Sequence, residues 1–247
     1  MAIKAITIDF WNTLLDSSKG RERNAYRLSV LKSELTALGV EFTEEQYTGA
    51  LKSSWEYFNN IWKNEQRTPL TIETVMYFWK KMNIPENKST IDRVVDAFSN
   101  CNLIYQPALI PGVRDALDKL SGDFMLAIIS HTGFSPGSIL RQLMEEKNIL
   151  KYFTAFSFSD ETGVAKPHPK AYTTALGYLE AEPADAIHIG DIEDTDIQGA
   201  KAVGMKAIRF NSDEPDLYSR NNPHDTIADY QADSWEEVLD IIYTSEV

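Results

Sequence analysis

The chain has 247 residues, 43% of them hydrophobic, and a formal net charge of -13. That length suits one large domain or a core with a smaller insertion, and the apolar content supports a packed interior rather than disorder. The acidic balance argues against nucleic-acid backbones and anionic membranes as partners, since both need clustered Lys and Arg, but it leaves room for a small anionic substrate held by local cations or a metal. The single Cys101 permits no internal disulfide and fits a reducing compartment. No secretory leader pattern opens the chain, and no apolar stretch approaches the ~20 residues of a membrane span. The expectation is a cytoplasmic protein, monomeric or homodimeric.

Taken in order, residues 3–15 read IKAITIDFWNTLL. Ile3, Ala5, Ile6 and Ile8 predict a strand buried on both faces, and Asp9 stands where that strand runs out. In an open parallel sheet the carboxyl ends of the strands form the ligand crevice, so Asp9 is a candidate for chemistry. The same acid could equally cap a turn.

Helical periodicity then takes over for about ninety residues. Leu28, Leu31, Leu35 and Leu38 share one face, with Gly39 at the stop. Thr43 and Gln46 form a capping-box pair opening a helix through Tyr47, Leu51, Trp55, Phe58 and Trp62. A third helix spans 72–82, with Val75, Phe78, Trp79 and Met82 on one face. A fourth starts near Ser89, with Ile91, Val94, Val95 and Phe98 inward. The Trp-rich faces are assigned to the interior of this small bundle.

Strands and helices alternate from Ala108 onward. A helix opens at the PGV of 111–113, followed by a strand at 124–130 and a helix over 138–147. The remaining pattern is strand 153–159, helix 171–179, strand 186–191, helix 196–204, strand 205–210 and helix 235–243. This alternation predicts an α/β fold with a doubly wound parallel, Rossmann-like sheet. The expected division is a core of 1–15 and 105–247, with a four-helix cap of 16–104 inserted.

Asp9, Ser130, Lys166 and Asp191 each follow a predicted strand, which places them along one sheet edge. GDIEDTD at 190–196 adds Glu193, Asp194 and Asp196. Four carboxylates so close repel one another unless a cation intervenes, and oxygen-rich sets of this kind suit Mg²⁺. The competing reading is a solvated acidic loop at a helix N-terminus. Lys166 lies between Gly163 and Pro167-His168-Pro169, a rigid turn.

DxxxT at 9–13, Ser130 after a strand, AKPHP around Lys166 and GDxxxxD at 190–196 together resemble the haloacid dehalogenase superfamily. The position of the helical insertion resembles its dehalogenase-like branch. The resemblance implies that Asp9 is a nucleophile forming an aspartyl-phosphate, that Ser130 holds the transferring group, and that Lys166 neutralises charge. It implies that Thr13 braces the nucleophile loop. It also implies that Asp9, Asp191, Asp196 and the Trp11 carbonyl hold Mg²⁺.

One departure concerns the proton. Most phosphatases of the superfamily carry a second Asp two residues after the nucleophile, then Gly; here Trp11 and Asn12 occupy those positions. An indole can neither protonate a leaving group nor activate water, and such a loss typically removes ~10² to 10⁴-fold in rate. Asn12 can replace Gly in a left-handed turn. His131, where the family has Asn, is a candidate proton carrier at neutral pH or a hydrogen-bonded filler.

The leading expectation is a Mg²⁺-dependent phosphohydrolase of slow or unusual turnover, acting on a small phosphorylated metabolite. Alternatives are a 2-haloacid dehalogenase, a phosphonate hydrolase using Lys52 of the insertion, and a non-catalytic phosphate-binding protein.

Overall fold

Residues 3–211 and 225–244 are described by a computed structural model of the chain. Six parallel strands lie in the order β3-β2-β1-β4-β5-β6. They are β1 (Ala5–Ile8), β2 (Met125–Ser130), β3 (Ala155–Phe158), β4 (Ala186–Gly190), β5 (Lys206–Phe210) and β6 (Tyr230–Ala232). The chain builds outward from β1 in one direction, then returns to add β4 on its other side. The crevice at such a switch point is where doubly wound sheets bind ligands, and Asp9 and Asp191 follow the two strands that flank it.

Alternation along the strands separates two interiors. Ile6, Ile8, Leu126, Ile128, Ile187, Ile189 and Ile208 face α5 (Val113–Asp123), α6 (Gly137–Glu146) and α10 (Trp235–Thr244). The opposite face is lined by small residues, Ala5, Ala127, Ala155, Ala186 and Ala207. That leaves depth for Tyr172 and Leu176 of α8 (Pro169–Tyr178) and for Ala200 of α9 (Gln198–Ala202). Burying each large aliphatic side chain contributes roughly 1.5–3 kcal/mol, so the isoleucine face supplies most of the sheet's hydrophobic stabilisation.

Between β1 and α5 stand α1 (Gly20–Ala37), α2 (Glu44–Glu65), α3 (Thr71–Lys81) and α4 (Lys88–Ile104). They close around Leu31, Leu35, Val75, Phe78, Trp79, Val94 and Phe98. Thr43 and Gln46 exchange the expected capping-box bonds, and Gly39 ends α1 with φ +70°. The two crossings between sheet and insert are tied together, Asp16 donating its N–H to the Ala108 carbonyl at 3.0 Å. No helix among the described residues is long and apolar enough to cross a membrane.

Three local expectations need correction. Trp79 is buried at 1% exposure, but Trp55 is 38% exposed and Trp62 only half-buried. The aromatic face of α2 therefore meets the sheet domain instead of the bundle interior: Trp55 packs edge-on to Phe134 and Trp62 to His131. The 196–204 helix is preceded by a wide π-type turn over Glu193–Ile197, so its α-helical part is only Gln198–Ala202. β6 and the short α7 (Ser159–Thr162) were not predicted, being too short to show a period.

Candidate active site

Each acidic group of the rim arrives by a different device. Asp9 is the first residue past β1, its N–H donating to the Ile189 carbonyl at 2.9 Å, which carries the ladder one step beyond the strand. Asp191 is the first residue past β4. Asp196 returns to the same place through the π-type turn, Ile197 donating its N–H to the Ile192 carbonyl at 3.4 Å. Gly190 is required for that return, because a Cβ there would meet the Asp196 Cγ at 2.5 Å. One carboxylate oxygen from each of Asp9, Asp191 and Asp196 lies within 4.8 Å of the other two, and all three residues are buried.

The cation on this rim is Lys166, 2% exposed. Its Nζ donates to Oδ1 of Asp9 and, at 2.5 Å, to Oδ1 of Asp196. The loop that carries it is held from the insert: the Ala165 N–H donates to the Gln66 carbonyl at 2.6 Å, and the Trp62 indole N–H to the Lys166 carbonyl at 3.1 Å. The Lys166–Pro167 peptide bond is cis.

Behind Asp196 stands a residue that the strand pattern concealed. His188 is fully buried on β4, directly across from Thr7 of β1. Its Nδ1 lies 2.8 Å from the Thr7 hydroxyl and its Nε2 3.2 Å from Asp196 Oδ1. A carboxylate accepts only, so Nε2 carries the proton and Nδ1 accepts from Thr7. Tyr172 packs edge-on to that imidazole at 5.4 Å, and its hydroxyl donates to the Thr195 carbonyl, pinning the π-type turn to α8. The available signal was a histidine inside the apolar run AIHIG, since a buried polar group needs partners.

Burial dominates the titration of the rim. It lifts Asp9 from 3.8 to about 6, with Lys166 opposing and Asp196 reinforcing the shift. Burial together with Asp9 and Asp196 raises Asp191 well above the usual carboxylate range. Burial would raise Asp196 too, but Lys166 and His188 hold it below that range. For Lys166 burial acts downward, yet Asp196 and Asp9 keep its ammonium above the ordinary lysine value. One ammonium thus compensates part of the acidic charge, and the remainder resists ionisation.

The other expected site residues sit around this centre. Ser130 ends β2, buried, its hydroxyl donating to the His131 carbonyl at 3.0 Å. Asn12 adopts φ 55°, the left-handed turn expected of it, and its Oδ1 accepts from Ser17 at 2.7 Å. Trp11 is half-buried and meets Phe10 edge-on at 5.0 Å. Thr13 is engaged through its carbonyl, which accepts from the Trp235 indole at 2.9 Å, while its buried hydroxyl has no partner among the described residues. His131 Nε2 lies 3.2 Å from the Lys166 carbonyl, so that nitrogen donates. Burial, then Lys166, pushes this imidazole down to about 3, which leaves it neutral at pH 7 rather than a carried proton.

Two acids of the 190–196 block do not join the rim. Glu193 lies 3.5 Å from the Arg209 guanidinium and accepts the Ile227 N–H at 3.0 Å. Asp194 is exposed and accepts from the Gln198 side chain at 3.2 Å. The crowding inferred from sequence is relieved for these two by turning them away, and it persists only for Asp191 and Asp196 beside Asp9. Lys52 is exposed on α2.

A family model for haloacid dehalogenase-like hydrolases matches residues 43–210. A glyceraldehyde 3-phosphate phosphatase from Pyrococcus furiosus is 30% identical over 214 residues, covering 84% of this chain and 80% of that protein. Among solved structures, a 2-haloacid dehalogenase from Pseudomonas syringae superposes with a TM-score of 0.71 at 18% identity, covering 97% of this chain and 98% of that one. A magnesium-bound HAD-hydrolase, YfnB from Bacillus subtilis, gives a TM-score of 0.66 at 16% identity, covering 98% and 100%. At such identities these two likenesses speak to fold alone. The chain belongs to the haloacid dehalogenase-like hydrolases.

Proposed function

We propose that this chain is a divalent-cation-dependent phosphohydrolase acting on a small phosphorylated metabolite through an aspartyl-phosphate at Asp9. The observation that carries the reading is the buried set of Asp9, Asp191 and Asp196 with one shared ammonium, Lys166. The named activity of the Pyrococcus relative supports a phosphate monoester as substrate.

The donor set fits Mg²⁺. Hard oxygens in a tight buried group suit that ion, and the raised values of Asp9 and Asp191 mark the positive charge they lack. Asp9, Asp191 and Asp196, with the carbonyl of Trp11, would hold it. Bound there, Mg²⁺ supplies the Lewis acidity that lets one anion approach another.

The chain's own residues do the rest. The Asp9 carboxylate attacks phosphorus, the bond to the leaving oxygen breaks, and water later frees the enzyme. Lys166 stabilises charge developing beside Asp9 from a fixed position, and Ser130 and the Thr13 loop hold the phosphoryl group and the nucleophile. His188 orients Asp196 through Nε2 while Thr7 fixes its tautomer. Trp11 provides no proton, so esters with good leaving groups turn over fastest and alkyl esters slowly.

Dehalogenation of a 2-haloacid is the second reading, favoured by Trp11, because halide leaves without protonation. Stripped protein assayed on p-nitrophenyl phosphate with and without Mg²⁺, beside chloride release from 2-chloropropionate, separates them. Mg²⁺-dependent release of p-nitrophenolate is expected. Metal-independent chloride release would replace this reading, and inactivity on both would favour a phosphate-binding protein.

A further inference from the structure

A lysine ammonium ends a flexible four-carbon stem, so one that works from a fixed position has to be held at both ends. At the Nζ end Lys166 is held by Asp9 and Asp196. Both carboxylates belong to the proposed cation set, and Asp9 is the proposed nucleophile, so those bonds change as the reaction proceeds. The backbone end has no ladder or helix to rely on. Lys166 lies in the turn between Gly163, which ends α7, and Pro169, which opens α8.

That end is fixed through one oxygen with two donors. The Lys166 carbonyl accepts the Trp62 indole N–H at 3.1 Å and the His131 Nε2–H at 3.2 Å. A carbonyl oxygen has two lone pairs, so both are engaged. The two donor rings meet edge-on, centroids 5.3 Å apart and planes at 71°, so each restricts the other's rotation. One residue earlier, the Ala165 N–H donates to the Gln66 carbonyl at 2.6 Å. Gln66 ends α2 at φ 49°, a left-handed conformation with a steric cost for any residue that has a Cβ. That turn delivers its carbonyl to the lysine loop. The last turn of α2 thus grips two successive core residues, and the second of them is Lys166.

The insert makes two further bonds just beyond this grip. The Thr68 hydroxyl lies 2.6 Å from that of Ser159, and the Thr71 hydroxyl donates to the Phe134 carbonyl at 2.6 Å. None of these four bonds ends on Asp9, Asp191 or Asp196. Those three are set by the core: Asp9 by its bond to the Ile189 carbonyl, and Asp196 by the turn that Gly190 permits. The site therefore divides by origin. The sheet fixes the carboxylates, and the end of α2 fixes the backbone from which the ammonium reaches them.

We propose that Trp62 is a positioning residue for Lys166: its indole N–H, with His131 as second anchor on the same carbonyl oxygen, sets the place from which the ammonium stabilises charge beside Asp9. The indole acts through Lys166, and its effect falls on the chemical step rather than on cation binding. This rests on the phosphohydrolase reading and adds to it a residue of the insert that governs turnover without choosing the substrate.

The test uses Trp62→Phe, which keeps a ring and deletes the N–H, and Thr71→Val as control, which deletes another buried bond between insert and core. Wild type and both variants are assayed on p-nitrophenyl phosphate with saturating Mg²⁺. Thermal melts and calorimetric Mg²⁺ titrations of the stripped proteins run alongside. Trp62→Phe should lower kcat by about 3- to 10-fold, the worth of one hydrogen bond, with KM unchanged, as for an interaction made only in the transition state. Its Mg²⁺ affinity should match wild type. Thr71→Val should lower the melting temperature and leave kcat unchanged. His131→Phe removes the other donor from the same oxygen and should repeat the Trp62→Phe pattern, which gives the anchor a second, independent reading.

Unchanged kcat with a lower melting temperature would make the indole a structural tie and overturn the inference. So would an equal fall of kcat in Thr71→Val, which points to docking of the insert in general. A loss of Mg²⁺ affinity in Trp62→Phe would place the effect on the carboxylates and overturn it too. Wild type that releases no p-nitrophenolate would bring down the phosphohydrolase reading and this inference with it, a result distinct from a selective loss in one variant.

Discussion

Lys166 and Arg27 are both deeply buried cations, yet their surroundings are opposite. Lys166 sits between two carboxylates with a third beside them, so its rim has more negative charge than the chain neutralises. Arg27 sits among aromatic rings, a thiol and a phenol, and its charge is met by the faces of Phe134 and Phe98 and by the Asn24 side-chain oxygen rather than by a carboxylate. The rim gathers three carboxylates around one ammonium, and the insert holds its arginine against ring faces. A buried ammonium among carboxylates and a buried guanidinium among rings are two ways of offsetting the cost of taking a cation out of water.

Changing one group at a time tests that contrast. The largest effect is expected from Asp9→Asn, which removes the proposed nucleophile and should lower phosphate-ester turnover by at least about 10⁴-fold in steady-state assays. Activity that survived would remove Asp9 from the chemistry.

Lys166→Met strips the rim of its ammonium while leaving the carboxylates buried. Removing one partner of a buried ion pair costs about 3–5 kcal/mol, readable by urea denaturation without metal. Arg27→Met, by contrast, should show no such loss, and equal losses would erase the difference between the two regions.

Trp11→Asp supplies the carboxyl group that the family resemblance leads one to expect at that position. If the missing proton donor limits turnover, this variant should accelerate alkyl phosphate esters by at least about 10²-fold, with less gain on p-nitrophenyl phosphate. Equal rates on both ester types would place the limit elsewhere.

Acidity gives a smaller effect of definite sign. Asp9 titrates at about 6 in the folded protein against 3.8 ordinarily, so between those values the folded state binds more protons and loses stability as pH rises. Asp191, also raised, extends that loss upward. Asp196, held low, acts the other way, but its contribution is lost only below the ordinary carboxylate range. The melting temperature of stripped protein should therefore rise on acidification from about pH 7.5 to about pH 5.5, and less so in Asp9→Asn. A fall over that interval in wild type alone would contradict the assignment. The smallest change expected is Trp62→Phe, which deletes the indole bond to the Lys166 carbonyl and should cost about 0.5–1.5 kcal/mol in denaturant unfolding.

Much of this could be read from the sequence, for identifiable reasons. Runs such as AITI and MLAIIS announce buried strands, and a carboxylate just beyond such a run has few places to lie except the sheet's edge. Asp9 and Asp191 were legible on that ground. Asp196 was legible as one acid of the crowded 190–196 block, and only the family resemblance singled it out from Glu193 and Asp194, since its return depends on a π-type turn that no periodicity announces. His188 was hidden because one polar residue in a five-residue apolar strand leaves the pattern intact. Trp62 and Trp55 show the limit of helical periodicity: it marks which face is covered, not what covers it. Arg27 was invisible for a related reason, since an arginine on a leucine-spaced face reads as surface until its burial is known.

The most direct test of the proposal that the rim binds a cation is calorimetric titration of stripped protein with Mg²⁺ near neutral pH, in buffers of different ionisation enthalpy. One ion per chain should bind, with release of protons from the partly protonated Asp9 and Asp191, so the apparent heat should vary with the buffer and vanish in Asp191→Asn. Wild-type protein that takes up no Mg²⁺, or binds it unchanged after Asp191→Asn, would contradict the account.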